Sequence, residues 1–133
     1  MLNANMLGLP FRPLVCNHPA PILDGCVLYL DGRLGGNNPA TQTWHDLSGK
    51  GNNGVLTNFA FADGSGWDGR GLELDGVDDG VSIPHNATLN MQKLTLECWV
   101  YPYSYATRGT LIVKWVNDTS NKRQYQINID SEA

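Results

Sequence analysis

Nowhere in this sequence does an apolar period near 3.6 persist over three helical turns, whereas several short runs alternate apolar and polar residues. Every second side chain of a strand points to the same face, so such alternation buries one face of a sheet and leaves the other wet. The chain therefore predicts an all-β fold, an antiparallel β-sandwich with almost no helix. Its punctuation agrees, since 15 glycines and 7 prolines close off short segments at turns. A length of 133 residues gives one domain and leaves no room for a second independent core.

Residues 1–23 read as an irregular, proline-rich arm, and 24–133 as the body of the domain. The run Cys26 to Leu30 is the first expected strand, closed by the turn-forming pair Asp31-Gly32. A long polar loop containing Trp44, His45, Asp46 and SGKGNNG is expected on the surface, followed by a short strand at Val55 to Thr57. Leu72, Leu74, Val81 and Ile83 alternate with polar residues or glycine around Gly76-Val77-Asp78-Asp79, which predicts a β-hairpin. Pro84 ends it, and residues 85–90 should make a helical turn. A long strand is expected next, with Leu94, Leu96, Cys98 and Val100 on one face and Thr95, Glu97, Trp99 and Tyr101 on the other. Strands at Thr110 to Trp115 and Gln124 to Ile129 flank the polar turn 117–123.

Composition excludes some classes of partner. A formal charge of -4 argues against a nucleic-acid ligand, which draws its affinity from clustered Lys and Arg. No run approaches the ~18 apolar residues that span a bilayer, so no membrane insertion is expected. The opening MLNANMLGLPFRPLV has no basic n-region, and its prolines and Arg12 break the apolar run, so no signal peptide is visible in this chain. Cys16, Cys26 and Cys98 have no zinc-site spacing. Cys98 reads as a small buried thiol, and a Cys16–Cys26 bridge is left open. Asn86-Ala87-Thr88 and Asn117-Asp118-Thr119 are sequons, usable only in a eukaryotic secretory pathway.

Four phrases then follow one another in order: DGCVLYLDG, WHDLSGKGNNGVLTN, LELDGVDDGVSIPHNATLN and LTLECWVYP. From about Asp24 to about Asp130 the chain resembles the laminin-G-like, concanavalin A-like jelly rolls. The resemblance implies that Trp44 and the SGKGNNG loop pack over the sheet, that the DGVDD turn joins two strands, and that LTLECWVYP crosses the middle of a sheet. Gly80 stands where that family usually carries an aromatic ring, and its later strands have no counterpart before Ala133. The expected jelly roll is therefore incomplete, which predicts a fragment, or self-association or partner strands completing the sandwich.

Function is expected to be non-catalytic recognition of a glycan or protein ligand, as a module of a secreted, cell-surface or virion protein. Glu97, Trp99 and Tyr101 share one face of the predicted strand, and Tyr103 follows in an aromatic-rich loop; Trp and Tyr are the side chains that stack on sugar rings, although they serve equally as sheet packing. Glycanases of this fold carry three carboxylates on one strand, whereas Glu73-Leu74-Asp75 is followed by a turn, so the chain is not expected to be an enzyme. His18, His45 and His85 stand apart and form no triad. Calcium is the one cofactor to weigh, since Asp75, Asp78 and Asp79 gather hard oxygen ligands in one turn, with Asp31 or Asp46 as distant additions. Aspartates also favour turns merely by capping their own backbone. The alternatives are a structural domain of an assembling particle and the accessory domain of a glycoside hydrolase.

Overall fold

A computed structural model describes residues 24–33, 41–62, 64–103, 109–115 and 123–130; the expected N-terminal arm, Cys16 and Asn117 lie outside them. The chain divides into two compact units, Met1–Asn90 and Met91–Ala133. Among the described residues the architecture is all-β and antiparallel, with one 3₁₀ turn.

In the first unit the strands are β1 (Thr43–Trp44), β2 (Gly54–Thr57), β3 (Gly66–Trp67), β4 (Leu72–Glu73) and β5 (Gly80–Ser82). One sheet has the order β1-β2-β5, and a second pairs β3 with β4. Strand β2 shows the expected alternation: Gly54 and Leu56 are buried while Val55 and Thr57 are exposed. Burial on one face is what holds its register, because a slip by one residue would turn Leu56 to solvent. Leu56 pairs with Val81 of β5, and Gly54 with Trp44 of β1. Among the described residues of the unit, Leu56, Phe59 and Leu89 are the buried apolar side chains. The Trp44 and Trp67 rings meet edge to face at 5.4 Å and 87°, which joins the two sheets.

The sequence misplaces several pairings here. Leu72 to Ile83 is not a hairpin: β4 pairs back onto β3 and β5 pairs with β2, so the turn at 75–79 links two sheets. Alternation fixes which face a strand buries but not which neighbour it takes. Trp44 is itself in a strand rather than a loop, and the strand at Gly66–Trp67 has no alternation to reveal it. Cys26 to Leu30 forms no ladder. Its polar backbone is met from elsewhere: the Tyr29 N–H donates to Asp46 Oδ1, the Leu47 N–H to the Tyr29 carbonyl, and the Asn52 amide to the Val27 carbonyl. The helical turn after Pro84 is present as a 3₁₀ turn at Ala87–Leu89, where Asn86 Oδ1 accepts the Thr88 N–H at 3.0 Å.

In the second unit, β6 (Gly109–Trp115) and β7 (Arg123–Ile129) make an antiparallel pair whose register shifts twice. The expected central strand at 94–101 carries no ladder. Without one, its two faces do not separate: Leu94 and Val100 of one expected face are exposed, as are Trp99 and Tyr101 of the other. Cys98 is an exposed free thiol rather than a buried one. Cys26 is likewise free, and its thiol donates to the Leu28 carbonyl at 3.4 Å.

Candidate functional site

Three places in the fold hold the residues singled out by the sequence or the structure. The first is the aromatic run of the second unit. Trp99, Tyr101 and Tyr103 are 83%, 84% and 76% exposed, and the Tyr101 and Tyr103 rings meet edge to face at 5.6 Å. Rings this wet are costly to leave in water and ready to be covered. Glu97 is exposed on the same stretch.

The second is the turn at 75–79. Carboxylate oxygens of Asp75, Asp78 and Asp79 all lie within 4.8 Å of one another. Much of that convergence is the turn capping itself. Asp75 Oδ1 accepts the N–H groups of Val77 and Asp78 at 2.8 and 3.3 Å, and Asp79 Oδ2 accepts the Asp75 N–H at 2.9 Å. Gly76 takes a left-handed φ of 74° that the turn requires. Hydrogen bonds from the Val77 N–H above all, against slight desolvation, hold the Asp75 carboxyl below its usual range. Asp31 and Asp46 are not in this group. Asp31 is 7% exposed and pairs with Arg33 Nη2 at 2.8 Å, while its other oxygen accepts the Arg33 Nε–H at 3.1 Å.

Asp46 instead organises the loop 46–53. Its Oδ1 accepts the N–H groups of Tyr29 and Ser48, and its Oδ2 accepts the Ser48 hydroxyl and the Asn52 N–H, all between 2.8 and 2.9 Å. Burial pushes the Asp46 carboxyl up, but these donors together outweigh it and the net shift is downward. The Asp46 N–H in turn donates to Asn53 Oδ1 at 2.8 Å. The loop is thereby drawn over Cys26 to Leu30, and Asn52, expected on the surface, is only 2% exposed.

That loop makes the third place, a cleft of about 350 Å³ whose lining includes Thr43, Asn52, Asn53, Val55, Pro84 and His85. Sequence reasoning missed it. Asp46-Leu47-Ser48 carries a local signal, an aspartate accepting the N–H two residues on, but nothing near Asn52 announces that its partners lie 25 and 36 residues away. No helix among the described residues is long and apolar enough to cross a membrane.

The all-β scaffold thus presents an exposed aromatic run and a cleft whose described lining residues include no carboxylate, ammonium or guanidinium. No protein-family model, characterised protein or solved structure matches the chain.

Proposed function

We propose that this chain is a non-catalytic recognition domain of the laminin-G-like kind, binding a glycan or a surface protein as part of a secreted, cell-surface or virion protein. The observation that carries the reading is the exposure of Trp99, Tyr101 and Tyr103 within five residues of one another. Flat faces of this type stack on the C–H faces of sugar rings and anchor protein interfaces, gaining area at small entropic cost. Two further observations favour binding over glycoside hydrolysis. Strand β4 stops at Glu73, and the Asp75 carboxylate two residues on is engaged with the N–H groups of its own turn. A retaining pair of carboxylates needs both groups facing the scissile bond, ~5–5.5 Å apart.

A glycan array tests the reading. Selective binding that is lost in Trp99→Ala or Tyr101→Ala, with the circular dichroism spectrum unchanged, supports it.

A structural role in an assembling particle is favoured by a separate observation: among the described residues, 94–103 has no ladder, and β6 and β7 pair with each other and with no other strand. Two-stranded ribbons are marginal alone and leave edges that another chain can extend. Concentration-dependent assembly without glycan binding would select this second reading.

A further inference from the structure

A second cleft of the first unit, of about 210 Å³, brings aromatic rings and carboxylates together; its lining includes Phe61, Ser65, Gly66, Trp67, Asp68 and Glu73. The turn that builds it is tightly held. Ser65 is 5% exposed, its N–H donates to the Ala62 carbonyl at 2.9 Å, and the Ala62 N–H donates to the Ser65 carbonyl at 3.1 Å. Ser65 Oγ accepts the Ala60 N–H at 2.9 Å. Between these bonds Phe61 takes a left-handed φ of 52°, which a bulky residue rarely adopts. Glycine at position 66 lets that residue come close, since a Cβ there would stand 3.2 Å from Phe61 Cα and from Phe61 Cδ1. Glu73 is the residue paired with Gly66 across β3 and β4, so an aromatic ring and a carboxylate residue flank the same glycine.

The charge of the lining has one sign. Asp68 and Glu73 bring carboxylates, and the described lining residues include no ammonium, guanidinium or imidazole. Asp68 Oδ1 accepts the N–H groups of Arg70 and Gly71, both at 2.7 Å. Those bonds hold the Asp68 carboxyl below its usual range, so it keeps its charge. Among the described residues the Arg70 guanidinium makes no ion pair with Asp68, and the Glu73 carboxylate has neither a hydrogen bond nor an ion pair. The Trp67 Nε1–H donates to the Thr41 carbonyl at 3.3 Å, which leaves its carbon ring for the cleft.

Such a lining repels anions and selects among cations. A hard metal ion takes ~6–8 oxygen ligands, to which aromatic rings add nothing. The volume lies below the ~300–1,000 Å³ of whole small-molecule sites and suits the end of one side chain. A guanidinium is planar and weakly hydrated, stacks on aromatic faces and forks onto a carboxylate, whereas an ammonium is a strongly hydrated point charge. The net charge of -4 draws a basic partner towards the chain.

We infer that this cleft receives an arginine side chain of a partner protein, its guanidinium paired with the Glu73 carboxylate and its flat face covered by the aromatic lining. The site is apart from the aromatic run of the other unit and does not rest on that reading.

The test is amide-resolved NMR on the full ¹⁵N-labelled chain, titrated at constant ionic strength with the peptide acetyl-Gly-Arg-Gly-amide to about 20 mM, well above a Kd of ~1 mM. The peptide is expected to shift the amides of Ala62, Gly66, Asp68 and Glu73. The same peptide with citrulline for arginine is neutral and nearly the same shape, and it is expected to leave them in place. Glu73→Gln keeps the side-chain length and breaks no bond among the described residues; it is expected to weaken binding about fivefold, the upper end for a solvent-exposed ion pair. Unmoved amides of Leu56 and Leu89 report that the variant is folded, and the citrulline comparison decides without any variant. The inference is overturned if the arginine peptide leaves those four amides in place, if citrulline moves them equally, or if a folded Glu73→Gln binds as tightly as the parent. Shifts confined to residues 75–79 overturn it as attraction to the acidic turn. Tighter binding of free arginine or of tetramethylammonium than of the peptide overturns it in favour of a small cationic ligand.

Discussion

Gly54 lies so close against Val81 that a Cβ at Gly54 would stand 2.7 Å from Val81 Cγ1 and 3.3 Å from Trp44 Cβ. Carbon atoms in contact settle at ~3.5–4.0 Å, and β-branched Val81 has little rotamer freedom with which to retreat. Strand β2 is the centre of its sheet, so neither neighbour can move without disturbing a ladder. Gly54→Ala is expected to destabilise the protein by about 1–3 kcal/mol, read as a lower urea midpoint. Val81→Ala should recover part of that loss. Additivity of the two substitutions within ~0.5 kcal/mol would show that the contact is not the cause.

At the acidic turn the hydrogen bonds make a different demand. Asp75 Oδ1 is the common acceptor for the Val77 and Asp78 N–H groups, and Asp79 Oδ2 returns a bond to the Asp75 N–H. Asp75→Ala should therefore release the Val77 amide to faster hydrogen exchange, while Asp78→Ala, whose carboxylate accepts none of these bonds, should not. Neither effect should depend on calcium. If millimolar calcium instead slowed exchange at Val77 in the parent and not in Asp78→Ala, the carboxylates would be serving an ion and the capping account would fail.

What the sequence conveys and what it hides divide along the range of the interactions. Strands β2, β5, β6 and β7 and the 3₁₀ turn after Pro84 follow from alternation, β-branched residues and proline, all local signals. Pairing is not local: the same residues 72–83 satisfy a hairpin or, as they do, two different sheets. The run Cys26 to Leu30 has a strand's composition, but Asp46 and Asn52 occupy backbone groups that a neighbouring strand would have used. For LTLECWVYP the alternation is present and the ladder is not, because pairing needs a partner edge as well as a pattern. The candidate sites differ likewise. Trp99, Tyr101 and Tyr103 are legible as residue types, whereas the cleft depends on Asn52 meeting Val27 and Thr88 across the fold.

Gly80 offers a prediction of opposite sign to Gly54. It pairs with Thr57 on the edge strand β5, and a Cβ placed on it meets nothing within 4 Å. Glycine within a strand costs conformational entropy and gives nothing to pack across the ladder. Gly80→Tyr is expected to stabilise the unit by about 0.5–1 kcal/mol through strand preference and contact with Thr57. Thermal denaturation is the check, and a lower melting temperature than the parent would show that the open space beside Gly80 is needed.

Acid stability should report on Asp31. The Arg33 guanidinium bonded to it, together with the Arg33 N–H and the Tyr29 hydroxyl, lowers the carboxyl from 3.8 to about 2 despite its burial. A carboxyl whose pKa is depressed by folding stabilises the fold above its unfolded pKa and loses that contribution as the pH falls through the folded value. The window therefore runs from about pH 4 down to about pH 2. The full shift would correspond to ~2.4 kcal/mol, but the Arg33 side chain is 45% exposed and solvent screens the pair, leaving about 1–2 kcal/mol. Arg33→Ala keeps the backbone N–H that donates to Asp31 Oδ1 at 2.9 Å and removes the guanidinium. Its urea midpoint at neutral pH should fall below the parent's, and the gap should narrow as the pH drops through that window. Curves that stay parallel down to about pH 2 would mean that Arg33 stabilises the protein without acting on the Asp31 carboxyl.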